Sequence, residues 1–162
     1  MIHWGAAGLS LTAAGVALFL LSPPNWSEFY VQRYMAGIEH HKTMGLLALV
    51  LAAAWPIART VRRPRPGAEW ERALAKVVHL GLFASLITLP VSGYLSSTLY
   101  GNGLTLSGLT VPPLLPENRA LAAALHLLHK LGGYAFLALA SLHTVAALTH
   151  VLRDAAAGRS AS

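Results

Sequence analysis

Cysteine is missing altogether from the 162 residues. That excludes disulfides, iron–sulfur clusters, thiol catalysis and the covalent attachment of a c-type haem. Charge is scarce as well: Asp, Glu, Lys and Arg make up 11% of the chain, against 55% hydrophobic residues and a mean hydropathy of +0.54. A soluble domain commits about a quarter of its residues to charge, so an integral membrane protein is expected instead. Six acidic residues stand against 12 Lys and Arg. In a soluble chain the resulting +6 would suggest nucleic acid; in a membrane chain it sets orientation, and no nucleic-acid partner is expected. No internal repeat is present, and alanine-rich stretches are the only compositional bias.

The uncharged runs place four spans, at about residues 2–22, 40–59, 76–98 and 122–152, in one membrane domain covering 1–162. The first stops at Ser22-Pro23-Pro24. Its start, Met1-Ile2-His3-Trp4, has no basic residue and its apolar run is long, so it reads as a retained helix and not a cleaved signal. The second has only residues 43–58 free of charge and needs Lys42 to reach outward. A basic, proline-broken connector follows at 59–67. After the third span, Gly101-Asn102-Gly103 and Pro112-Pro113 mark a surface loop. Arg59, Arg62, Arg63, Arg65, Arg72, Lys76, Arg153 and Arg159 fall on one side, and Arg33, Lys42, Arg119 and Lys130 on the other. The positive-inside rule then puts both termini in the cytoplasm. The fold class expected is all-α, an integral membrane four-helix bundle. Trp4, Trp26, Trp55, Trp70, Tyr30, Tyr34 and Tyr100 lie near span ends, as interfacial anchors do.

Eight histidines are unusual in so apolar a chain. A histidine in hydrocarbon needs a partner, either a cross-helix hydrogen bond or a ligand. His129 and His143 are 14 residues apart on one predicted helix, which brings them to nearly the same face with about 21 Å of rise between them. Two haems at those depths would form a ladder across the bilayer. Topology supplies the second ligands: His41 opens the second span level with His129, and His3 opens the first on the side toward which His143 lies. His40 points about 100° away from His41 and cannot share its iron. His126 suits a propionate or solvent contact, and His79 and His150 suit either an interfacial contact or a quinone pocket near the inner haem. Gly45, Gly132 and Gly133 leave room either for a macrocycle or for close helix packing. Lys42 and Lys130 suit propionate neutralisation or snorkelling; with Arg33 and Arg119 they could also steer an anionic reactant, a field that Glu28, Glu39 and Glu117 dilute.

The ordered set His3-Trp4, His41-Lys42-Thr43-Met44-Gly45, His79, Pro90-x-x-Gly93, Leu109-Thr110-Val111-Pro112, His129, His143 and His150 resembles the bacterial cytochrome b561 family over nearly the whole chain. The resemblance implies four spans around two b-type haems, with His3, His41, His129 and His143 as axial ligands, in the bacterial inner membrane. Two positions depart from the pattern. His3 has almost no chain before it, so its helix begins abruptly or the true start lies upstream, and Trp55 stands where family members often carry arginine. Two filled axial positions leave no open one, which favours outer-sphere electron transfer over oxygen chemistry. Family members are implicated in passing electrons between superoxide at the outer face and the ubiquinone pool, so superoxide, a quinone and lipid are the expected partners and a superoxide:ubiquinone oxidoreductase the possible enzyme. Two other readings stand beside it. One is a haem-bearing anchor for a partner dehydrogenase or hydrogenase, and the other is a haem-free transporter or scaffold whose histidines bind one another.

Overall fold

A computed structural model describes residues 2–20, 27–58, 68–106 and 109–160. The expected Ser22-Pro23-Pro24 stop, Trp26, the connector at 59–67 and the last two residues lie outside these, and the side chain of Trp55 is not described. The described residues form four helices: α1 (Ile2–Leu20), α2 (Glu28–Ala58), α3 (Glu69–Leu99) and α4 (Arg119–Ser160). Between α3 and α4, where a plain loop was expected, β1 (Leu104–Leu106) pairs antiparallel with β2 (Leu109–Val111), Leu104 opposite Val111 and Thr105 opposite Thr110.

Among the described residues three helices are long and apolar enough to cross a membrane: His3–Leu20, Glu69–Leu99 and Arg119–Arg153. In α2 the charges at Glu28, Arg33, Glu39 and Lys42 interrupt the apolar run. Each of the last three helices runs past the span expected for it. Hydropathy marks where lipid ends, whereas polar residues of good helix propensity continue the turns beyond it. In the early turns of α2 the Arg33 guanidinium sits 5.1 Å over the Phe29 ring, and Tyr34 stacks on Tyr30. At the start of α3, Glu71 accepts a hydrogen bond from the Ala68 N–H, and at the start of α4 the Asn118 side chain caps the Leu121 N–H.

The bundle is antiparallel throughout. Gly37 of α2 lies against Leu20 of α1 and Gly5 of α1 against Leu51 of α2, while on the other side Gly81 of α3 meets Leu139 of α4. The helices pack in chain order, α1 on α2, α2 on α3 and α3 on α4; neither α1 nor α2 packs extensively on α4. Much of what is buried among the described residues is small: Ala6, Ser10 and Ala13 of α1, Ala48 and Ala52 of α2, and Ala122 of α4, with Val78, Leu99 and Phe136 the larger buried side chains. What is exposed is large and apolar, such as Leu80 at 69% and Val145 at 58%. Water would penalise that inversion, but in lipid close backbone approach holds helices together and large apolar side chains face the acyl chains.

Candidate functional site

The end of the bundle beside the hairpin brings together two of the nominated histidines. His41 of α2 and His129 of α4 have ring centroids 5.7 Å apart with planes at 89°. Each ring is held by main chain from a neighbouring helix: the Nδ1–H of His41 donates to the Ala13 carbonyl of α1 at 2.9 Å, and that of His129 donates to the Leu89 carbonyl of α3 at 2.9 Å. A carbonyl only accepts, so Nδ1 carries the proton and Nε2 keeps its lone pair, the tautomer a metal ligand needs. Two imidazoles on opposite sides of one metal have centroids about 6 Å apart, given a nitrogen–metal bond of about 2 Å on each side. The pair fits an axial set.

Space beside the pair fits too. Gly45 and Gly133 lie one turn beyond His41 and His129, on the same helix faces. A Cβ built on either meets nothing within 4 Å. Gly132 behaves differently: its Cβ would come within 2.9 Å of Leu89, which is close helix packing. The two meanings of a glycine here therefore divide, with Gly132 serving the helix contact and Gly45 and Gly133 facing room for a flat group. Gly133→Leu is accordingly expected to leave helix content unchanged while at least halving haem occupancy at this pair. Circular dichroism and a haem-to-protein ratio read the two effects separately.

About 21 Å further along α4, given 14 residues at 1.5 Å each, His143 faces His3 of α1 with centroids 6.1 Å apart. Its ring also meets that of His79 on α3 at 5.1 Å. Sequence reasoning placed His79 at this depth but missed that it touches a nominated ligand. The antiparallel register of α3 on α4, with Gly81 against Leu139, was the signal that could have found it. His40 donates to its own helix at the Ala36 carbonyl, and His126 and His150 are exposed. Among the described residues no three His, Cys, Asp or Glu side chains gather around a point where a bare metal ion could sit.

The cations at the hairpin end differ from expectation. Lys42 does not reach outward: its Nζ donates to Ser97 Oγ of α3 at 2.9 Å and to the Gly103 carbonyl at 3.5 Å. Arg119 lies 3.9 Å from the Glu117 carboxylate, and Arg33 covers Phe29. Lys130 is exposed. Three of the four positive groups thus engage partners within the protein, and a steering field would rest on fewer free charges than the count of lysines and arginines suggests.

Residues 1–158 match the family described as prokaryotic cytochrome b561. Cytochrome b561 homolog 2 of Escherichia coli (strain K12) is 29% identical over 157 residues, covering 94% of this chain and 81% of that relative.

Proposed function

The chain belongs to the prokaryotic cytochrome b561 family, and from that premise we propose that it relays electrons across the bilayer through two haems, between a reactant at the outer face and the quinone pool. Membership itself makes it a membrane b-type cytochrome that binds haem b and transfers electrons. The finer reading takes α2 as a fourth span and both termini as cytoplasmic, in the bacterial inner membrane. The hairpin end is then outer and the end carrying His3 inner. It assigns His41 and His129 to the outer haem and His3 and His143 to the inner.

The observation that carries this reading is the recurrence of facing imidazole pairs, at 5.7 and 6.1 Å, at two heights of a single helix. Haem b bound at each pair supplies one-electron exchange at iron. The chain's part would be to hold each haem between two imidazoles, and at the outer pair to keep His41 and His129 in the ligating tautomer through their Nδ1–H bonds. At the inner end, His79 and His150 with Lys76 and Arg72 nearby in sequence offer donors to a quinone's carbonyl oxygens. At the outer end a small anion such as superoxide is the reactant proposed.

Stopped-flow mixing of the purified protein tests this. Superoxide is expected to reduce haem within the mixing burst, and a soluble ubiquinone analogue to reoxidise it. His150→Ala is expected to slow reoxidation at least tenfold while leaving reduction unchanged. Reduction by quinol alone, or only by a partner dehydrogenase or hydrogenase subunit, would reverse the direction or favour the anchor role.

A further inference from the structure

Helix α3 contributes neither ring of the outer pair, yet both ligand helices are set against it. Its residues Leu89, Gly93 and Ser97 recur every four positions and so stack along one face. The Leu89 carbonyl accepts from Nδ1 of His129, and the His129 ring lies so close to Gly93 that a Cβ there would come within 2.9 Å of its Cε1 atom. One turn further, Ser97 Oγ accepts the hydrogen bond from Lys42, and Lys42 is the residue immediately after His41. The neighbouring Ser96 donates to the Ala122 carbonyl of α4 at 3.0 Å in a buried contact. Adjacent serines thus fasten α3 to both ligand helices.

We propose that Lys42 is a positioning residue for His41: by holding Ser97 and the Gly103 carbonyl, it fixes the height and rotation of α2 at which His41 faces His129 across haem. This rests on the assignment of those two histidines as the outer axial pair. The physical need is plain, because α2 does not pack extensively on α4. The spacing between the rings they carry has to be transmitted through α3. A lysine on a lipid-facing surface ordinarily sends its ammonium to water; this one is half-buried and directs its donors at a serine hydroxyl and a main-chain oxygen. Its second contact also ties the strand-bearing segment to α2 just ahead of β1, which packs on the same helix.

The test uses the full chain with Lys42→Met, Ser97→Ala, the double variant and Lys42→Arg. Readouts are haem content and the electron paramagnetic resonance of the ferric form, whose anisotropy follows the angle between the two axial imidazole planes. The outer signal is the one that disappears in His129→Ala. Lys42→Met and Ser97→Ala are expected to keep two haems per chain, to shift the outer signal in the same direction and to leave the inner one in place. The double variant is expected to shift it no further than the larger single change, because the contact that Ser97→Ala removes is one that Lys42→Met already removes. Lys42→Arg, which can still donate to both oxygens, is expected to restore the wild-type signal. An outer signal in Ser97→Ala identical to wild type overturns the proposal, whatever Lys42→Met does, since the Lys42–Ser97 bond would then play no part in placing His41. Summed shifts in the double variant overturn it as well. Should Lys42→Met fail to retain haem, Ser97→Ala decides alone. If His129→Ala removes no signal, the ligand assignment itself fails and the proposal falls with it, a result distinct from an unchanged Ser97→Ala.

Discussion

His129→Ala is expected to halve the haem content of the purified protein, from two per chain to one, and to remove the corresponding part of the low-spin b-type absorption. In the proposed assignment the imidazole would supply one bond to iron, and its Nδ1 hydrogen bond to Leu89 holds the ring in place. Alanine removes both. Some fold stability goes with them, about 1–3 kcal/mol for a half-buried polar partner left with less to bind, although Leu89 keeps the hydroxyl of Ser92 as a donor at 3.0 Å. Haem extraction and a reduced-minus-oxidised spectrum measure the ratio. A protein whose spectrum is untouched by this change has its haem elsewhere, and a preparation without colour would favour histidines that merely bind one another.

The second large effect is expected at Gly93, where a single methyl group suffices. A Cβ on Gly93 would lie 2.9 Å from Cε1 and 3.0 Å from Nδ1 of His129. The imidazole cannot yield freely, because its Nδ1 is bonded to the same helix one turn earlier. Gly93→Ala therefore rotates the ring off the Leu89 carbonyl or pushes α3 from α4, a clash of the kind that costs about 1–3 kcal/mol in a packed core. Loss of most haem from the outer pair with the inner one retained is the expected outcome, read by the same extraction and by thermal unfolding. Gly158→Ala provides the control: its Cβ meets nothing within 4 Å, and alanine in an exposed helix turn is favourable. Equal behaviour of the two variants would mean that the ring is not seated against α3 as described.

Much of the arrangement is legible in the sequence alone. His129 and His143 sit on one helix, so their separation needs only helical geometry. His41 and His3 follow once the helices alternate in direction. What escaped depends on register between helices far apart in sequence. His79 meets His143 because small residues such as Gly81 and Gly132 let α3 and α4 close in at one particular offset. Lys42 finds its acceptor 55 residues away, which no local pattern encodes. The helix starts at Glu28 and Glu69 were missed for another reason: a hydropathy profile tracks the solvent, and those first turns stand outside the apolar run while remaining helical. The hairpin did leave a trace, the alternation of Leu and Thr on either side of Ser107-Gly108. The adjacent Pro112-Pro113 made a plain loop the simpler reading.

Each facing pair draws one ring from the α1–α2 half of the chain and the other from the α3–α4 half. Within each half the helices already lock together through alanine, serine and glycine, and α1 meets α4 only sparsely. Iron porphyrin is then more than cargo. Haem held by the four proposed rings would clasp the two halves at two heights, adding to the α2–α3 packing and the Lys42–Ser97 bond that already join them, so that cells starved of haem should yield a looser bundle that is proteolysed faster.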